Sequence, residues 1–127
     1  MPATISFNDF QKMDIRMGRI VKAEKAEGTE KLMKMQVDFG NEETDGMNKQ
    51  DKAVKPVTRQ VVASIAQFYS PKDLKGKQCP FLFNLEPRKF MGHESQGMLL
   101  AIDVEGDRSD CVLLHPNKDV RPGAKVV

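Results

Sequence analysis

Residues 33–39 (Met33-Lys34-Met35-Gln36-Val37-Asp38-Phe39) alternate strictly between apolar and polar side chains. A period of two places Met33, Met35, Val37 and Phe39 on one face and Lys34, Gln36 and Asp38 on the other. That is the signature of a strand with one buried face. Gly40 ends the run. Further strand-like segments follow the same logic: Asp14 to about Lys25, Thr58–Ala63, Cys79–Leu85, Met98–Val104 and a short Cys111–Leu114. In the first of these, Ile15 and Met17 share a face, but after Gly18 the apolar phase shifts to Ile20. This predicts a bend or bulge at the glycine. Pro80 cannot donate to a ladder, so it predicts an edge position or a strand start.

The helical content is small. Ser6, with Asp9 three positions on and Phe10 and Met13 beyond, predicts a short capped helix. Ile65–Tyr69 has room for one helical turn. Ser70-Pro71-Lys72-Asp73-Leu74 predicts a second turn, with Ser70 as cap and Pro71 at its first position. Residues 28–30, 86–97 and 106–107 read as turns or loops. Residues 41–54 are polar and acidic and read as a surface loop. Five main strands with a short helix between the third and fourth give an all-β chain in the order of an OB-fold, a five-stranded Greek-key barrel. The barrel is expected over about 14–103 of a single domain, with 104–127 as a C-terminal extension and the first helix as an N-terminal one.

Composition narrows the class. In 127 residues, 39% are hydrophobic and 30% charged, an ordinary globular mix for one domain. No apolar run approaches the roughly 18 residues that span a membrane. The start, MPATISFNDF, has neither basic head nor apolar core, so no signal peptide is expected. Cys79 and Cys111 lie far apart without CxxC spacing and read as buried thiols in a reducing cytoplasm. Catalytic patterns fail on inspection. Glu94-Ser95-Gln96-Gly97 has His93 where a nucleophile elbow needs glycine. His93-Glu94 has no second histidine at zinc-protease spacing. No P-loop or GxGxxG occurs. The chain therefore reads as a non-enzyme, with no cofactor and no metal.

The net charge is only +2, but the cations are grouped. One block runs from Lys12 to Lys34 and a second from Lys72 to Lys89, with acidic residues concentrated in 38–51. An OB-fold brings ligands to strands two and three and to the loops joining strands one to two and four to five. Here those loops are about 26–32 and 86–97, which hold Lys31 and the Arg88-Lys89 pair. The fold would therefore unite the two blocks into a basic face. The run from Asn84 to Met98, which spans the second loop, also holds Phe90, Met91 and Ser95. Arginine and lysine neutralise phosphates, small polar groups reach sugars or base edges, and aromatic or thioether groups pack on unstacked bases.

Several pieces carry a resemblance: residues 10–20 (Phe10-Gln11-Lys12-Met13-Asp14-Ile15-Arg16-Met17-Gly18-Arg19-Ile20), Glu30-Lys31-Leu32, Val37-Asp38-Phe39-Gly40, Asn84-Leu85-Glu86-Pro87-Arg88-Lys89-Phe90-Met91-Gly92, Ser95-Gln96-Gly97-Met98 and Pro122-Gly123. In this order they resemble the tRNA-binding domain family, which includes free-standing proteins and C-terminal appendices of methionyl-tRNA synthetases. The resemblance implies an OB-fold and tRNA binding by shape more than by sequence. Carried over to this chain, it implies RNA contacts at Lys31, Asn84, Lys89, Ser95 and Met98; Arg88 is added from charge alone. It also implies a homodimer built from elements outside the barrel. Cys111, Val112, Leu113, Leu114, Val120, Val126 and Val127 need burial either there or on the barrel's own flank. An aminoacyl-tRNA synthetase is a further implied partner, and neither membrane nor DNA is expected. One branch of the family resembles export-related, peptide-binding chaperones, but it tends to lose the Asn-Leu-x-Pro and Ser-x-Gly-Met pieces that are intact here. The chain departs from the family at Ala63-Ser64, where many members have Ser-Gly, and in the length of its acidic loop.

Overall fold

The computed structural model describes residues 3–44 and 53–127. A five-stranded antiparallel sheet curls on itself, built from β1 (Ile15–Lys25), β2 (Met33–Thr44), β3 (Ala53–Ala63), β4 (Gln78–Leu82) and a two-residue strand, Met98–Leu99. The strand order is β3-β2-β1-β4 and then Met98–Leu99. The outer strands approach each other where the Gln96 N–H donates to the Gln60 carbonyl at 2.8 Å. This is the all-β barrel expected from the strand count. Its interior holds Ile20, Met33, Met35, Val37, Phe39, Val61, Leu74, Cys79, Phe81, Phe83 and Leu99. The alternation in residues 33–39 places its apolar members inside as its period requires. The Phe39 ring meets Phe81 and Phe83 edge-on, with centroids 5.4 and 5.0 Å apart.

Local signals at the helices behave as their chemistry predicts. The α1 helix (Phe7–Gln11) begins with the Ser6 hydroxyl accepting from the Asp9 N–H at 3.1 Å. The α2 helix (Pro71–Leu74) lies between β3 and β4, and its cap is a carboxylate, Asp73, accepting from both the N–H and the hydroxyl of Ser70 at 3.0 Å. Those bonds hold the Asp73 carboxyl below its usual range. Ile65–Tyr69 forms the expected single turn, with the Tyr69 N–H on the Ile65 carbonyl.

Four expectations need correction. First, β1 pairs in register with β4 through Gly18 (Gly18↔Cys79). The bulge falls three residues later, between Ile20 and Lys22. The two apolar phases arise because β1 is covered on both faces. Ile20 points into the core, while Met17 is buried outside that core cluster, its backbone exchanging bonds with Gly123 and Ala124 of the C-terminal tail, which runs beside β1. Gly18 is needed for room: a Cβ there would lie 2.8 Å from Phe39 and closer still to Val37.

Second, Pro80 is in an interior strand, between β1 and Met98–Leu99. Its missing donor falls where the second ladder ends: the Pro80 carbonyl accepts from Leu100 N–H, and pairing goes no further. Third, the segment Met98–Val104 is two strands with a break at Leu100, because the second piece, Ala101–Asp103, leaves the barrel to pair with Cys111–Leu113. Fourth, β2 and β3 extend to Thr44 and Ala53, into what the sequence suggests is loop, pairing Asn41↔Pro56 through Thr44↔Ala53. The remainder of that acidic loop, 45–52, lies outside the described residues.

The barrel's own flank covers part of the C-terminal extension. Leu113 joins the core and Cys111 packs against it. Val126 N–H donates to the Ile15 carbonyl at 2.8 Å, and Gln78 holds the Val120 backbone from both sides of its amide. Val112, Leu114 and Val127 stay exposed, as do Ile5, Phe7, Phe10 and Met13 around α1.

Candidate nucleic-acid interface

The stretch expected as a loop, 86–97, contains a β-hairpin. In chain order its strands are β5 (Arg88–Phe90) and β6 (His93–Ser95), which makes Met98–Leu99 β7, Ala101–Asp103 β8 and Cys111–Leu113 β9. Phe90 faces His93 across a two-residue turn, Met91-Gly92. Both turn residues have positive φ, 50° and 86°. That is the hairpin turn whose twist matches its strands. Glycine supplies such angles freely, whereas methionine adopts them only under strain. Met91 is also 66% exposed, so packing does not explain its presence.

The hairpin lies on the outside of the barrel and is stitched there by its own residues. Ser95, only 2% exposed, accepts from the Val62 N–H at 2.9 Å and donates to the Gly97 carbonyl at 2.8 Å. The Gln60 amide donates to the Glu94 carbonyl at 2.9 Å. His93 Nε2 lies 3.1 Å from the Glu27 carbonyl, a donor position in the tautomer protonated there. Phe90 packs on Ala26, Leu32 and Val62. The β1–β2 turn and the hairpin are therefore one structural unit, and the loops carrying Lys31 and Arg88-Lys89 do meet.

Strand geometry separates the two adjacent cations. Successive side chains leave opposite faces of a ribbon. Arg88 shares the barrel-facing side with Phe90, its guanidinium 5.1 Å from that ring's centroid. Lys89, opposite Glu94 in the register, takes the solvent side. Lys31 is exposed, with its backbone fixed by the Thr29 hydroxyl and by Ala66. In the first basic block Lys12, Arg16, Arg19 and Lys34 are in ion pairs, with Asp9, Asp14, Asp119 and Glu24. Lys31, Arg88 and Lys89 are in none of the ion pairs among the described residues.

Two of the expected contact residues are engaged inside the protein. Ser95 is buried with both hydroxyl roles filled, so it holds the hairpin in place and has no surface to offer RNA. Asn84 is exposed, but its Oδ1 accepts from the Asp14 N–H at 2.9 Å and its Nδ2 donates to the Lys12 carbonyl at 2.6 Å. It clamps the segment that links α1 to the barrel. In that segment the Arg16 guanidinium, bidentate on Asp14 at 2.8–3.2 Å, holds the Asp14 carboxyl below its ordinary 3.8.

Met98, 42% exposed, lines a groove of about 490 Å³ with Leu32, Phe90, Arg88, Asp103 and Arg108. Ala63 and Ser64, the departure from the usual Ser-Gly pair, also line it. Arg108 lies in the β8–β9 turn, where sequence reasoning saw only a turn, and no local pattern marks it as a groove residue. Both cysteines are free. Burial pushes the Cys79 thiol up to about 11, which keeps it protonated. Among the described residues no three His, Cys, Asp or Glu side chains gather as a metal site, and no helix is long and apolar enough to cross a membrane.

This geometry has close counterparts. The methionine–tRNA ligase of Archaeoglobus fulgidus is 45% identical over 122 residues, which are 96% of this chain but 16% of the ligase. The crystal structure of a MetRS-related protein from Pyrococcus horikoshii superposes with a TM-score of 0.81 at 35% identity, covering 99% of this chain and all of that one. The chaperone CsaA of Bacillus anthracis superposes at 0.77 with 27% identity, over 98% of this chain and all of its own. The family model described as "Putative tRNA binding domain" matches residues 15–125, from the first residue of β1 to the tail that pairs with it. The chain thus belongs to the tRNA-binding domain family.

Proposed function

We propose that this chain binds folded tRNA without catalysing a reaction, by electrostatic capture and fit of shape. The observation that carries the reading is the stitched hairpin. A three-residue strand presents Arg88 and Lys89 from opposite faces, beside Lys31, with no competing carboxylate in an ion pair. Cations held in place reach separate phosphates of one RNA backbone, and release of counterions drives the association. RNA helices are recognised mainly by shape and by phosphate and 2′-hydroxyl contacts, which suits a cationic rim with few base-reading groups. Met98 supplies an apolar contact at the edge of that rim. Asn84 and Ser95 act as positioning residues. The ligase relative is matched over a small part of its length, so what this chain takes from it is a tRNA-binding appendage, working beside an aminoacyl-tRNA synthetase.

The chain acts as a homodimer. Ile5, Phe7, Phe10 and Met13 form an apolar surface around α1, with Phe7 69% exposed. A second copy of the same surface fits it by symmetry. Sedimentation of the wild type and of Phe7→Ser tests this: a dimer and a monomer are expected, and a monomeric wild type excludes the arrangement.

Peptide binding is a second reading, favoured by the half-apolar groove and the likeness to CsaA. Titrations with bulk tRNA, a single-stranded RNA and an unfolded polypeptide, each at low and moderate salt, separate the two. Tighter binding to tRNA, falling steeply with salt, is expected. Salt-insensitive binding to polypeptide, with no preference for tRNA, replaces the RNA reading.

A further inference from the structure

Beyond the five-stranded barrel, Arg108 of the β8–β9 turn lines the groove together with Arg88 and Phe90 of the β5–β6 hairpin. The groove's apolar lining includes Leu32, Phe90 and Met98. Arg88 and Arg108 line the same groove, against one carboxylate, Asp103. One oxygen of that carboxylate, Oδ1, accepts from the backbone N–H of Arg108 at 2.9 Å and of Gly106 at 3.1 Å. Those bonds hold Arg108 at φ 61°, a left-handed conformation that a bulky side chain adopts at a cost. Met91 at the tip of the opposite hairpin is the other described non-glycine residue with positive φ. The lining's formal charge is positive and its volume lies in the range of small-ligand sites, about 300–1,000 Å³.

We infer that this groove takes one unstacked nucleotide of the bound RNA. Its base lies against Phe90 and Met98, and its phosphate lies between Arg88 and Arg108. An apolar lining that also holds two guanidinium groups suits a flat base joined to an anion. The inference rests on the RNA-binding reading and deepens it, because it adds a base-sized subsite and assigns Arg108 to it.

Two measurements test the proposal, and both must succeed. The first is tRNA affinity as a function of salt for Arg108→Gly and Arg108→Lys. Glycine accepts φ 61° without strain, so Arg108→Gly keeps or raises the melting temperature while removing the cation. It is expected to weaken tRNA binding on the order of five- to tenfold and to lower the salt slope by about one. Arg108→Lys is expected to retain most of the affinity. The second is the Met98 methyl resonance during titration with adenosine 5′-monophosphate, with Met17 as internal control. A shift at Met98, absent at Met17 and lost in Arg108→Gly, is expected. Unchanged tRNA binding by Arg108→Gly overturns the proposal. So does a silent Met98 methyl, or one that responds to an unfolded polypeptide and not to the nucleotide. A wild type that binds no tRNA fails the RNA-binding reading itself. In that case the groove proposal falls with it, whereas a wild type that binds tRNA with a silent Met98 methyl fails the groove proposal alone.

Discussion

Two short hairpins flank the groove, and they are anchored differently. The β5–β6 hairpin lies across the barrel's outer face and is held by Ser95, Gln60, His93 and the Phe90 ring, through contacts with β3 and the β1–β2 turn. The β8–β9 hairpin hangs chiefly on one side chain. The Tyr69 hydroxyl donates to the Cys111 carbonyl at 3.1 Å and accepts from the Leu113 N–H at 3.3 Å, with Leu113 itself in the core. Each hairpin carries one strained non-glycine residue and at least one cation. The first is over-determined by several independent contacts. The second has fewer ties, and its Arg108 lies outside any recognised motif. Precise placement of charge costs buried hydrogen bonds, and the chain has spent most of those on β5–β6.

The largest effect expected is from Ser95→Ala. It leaves the buried Val62 N–H and Gly97 carbonyl without their partner, a loss of about 2–3 kcal/mol in urea unfolding. Because the hairpin loosens, tRNA affinity is expected to fall too, although Ser95 is itself buried. Tyr69→Phe is expected to cost about 1–2 kcal/mol and to reduce amide-exchange protection in 111–113 while leaving 93–95 unaltered. Equal loss of protection in both hairpins would break the comparison.

How far the sequence reaches follows from which interactions are local. The strand at 33–39 is legible because burial of one face imposes a period of two. The caps at Ser6 and Ser70 are legible because they close within three residues. The β5–β6 hairpin is not legible as a hairpin. Its strands are three residues long, and their reasons for existing, Val62 and Gln60, lie more than thirty residues upstream. The same non-locality hides the internal bonds of Ser95 and Asn84. A hydroxyl or amide in a motif looks identical whether it faces RNA or a neighbouring backbone. Gly18 reads as a bend because its real constraint, the Val37 and Phe39 side chains, is on another strand. Arg108 has no local pattern at all.

Lys89→Ala sharpens the contrast between the two faces of β5–β6. It is expected to leave stability unchanged, to weaken binding to all tRNAs about equally, and to lower the salt slope by roughly one. Loss confined to one tRNA sequence would mean that Lys89 reads bases. Met91→Asn relieves the turn, since Asn-Gly is a favoured pair for it, and is expected to raise stability by about 0.5 kcal/mol. The smallest effect concerns acid. The Arg16 guanidinium depresses the Asp14 carboxyl, so its contribution is present above pH 3.8 and is lost as pH falls through the lower folded value. The stability difference between wild type and Asp14→Asn is therefore expected at neutral pH and should vanish on the acid side, as pH-dependent melting would show.

The most direct test is the dependence of tRNA affinity on salt for the wild type and for a variant with Lys31, Arg88 and Lys89 all replaced by alanine. If these three cations contact phosphates from a fixed rim, the slope of log affinity against log salt becomes shallower by about three, and the melting temperature does not fall. An unchanged slope in a folded variant would contradict the claim and move the RNA to another face of the barrel.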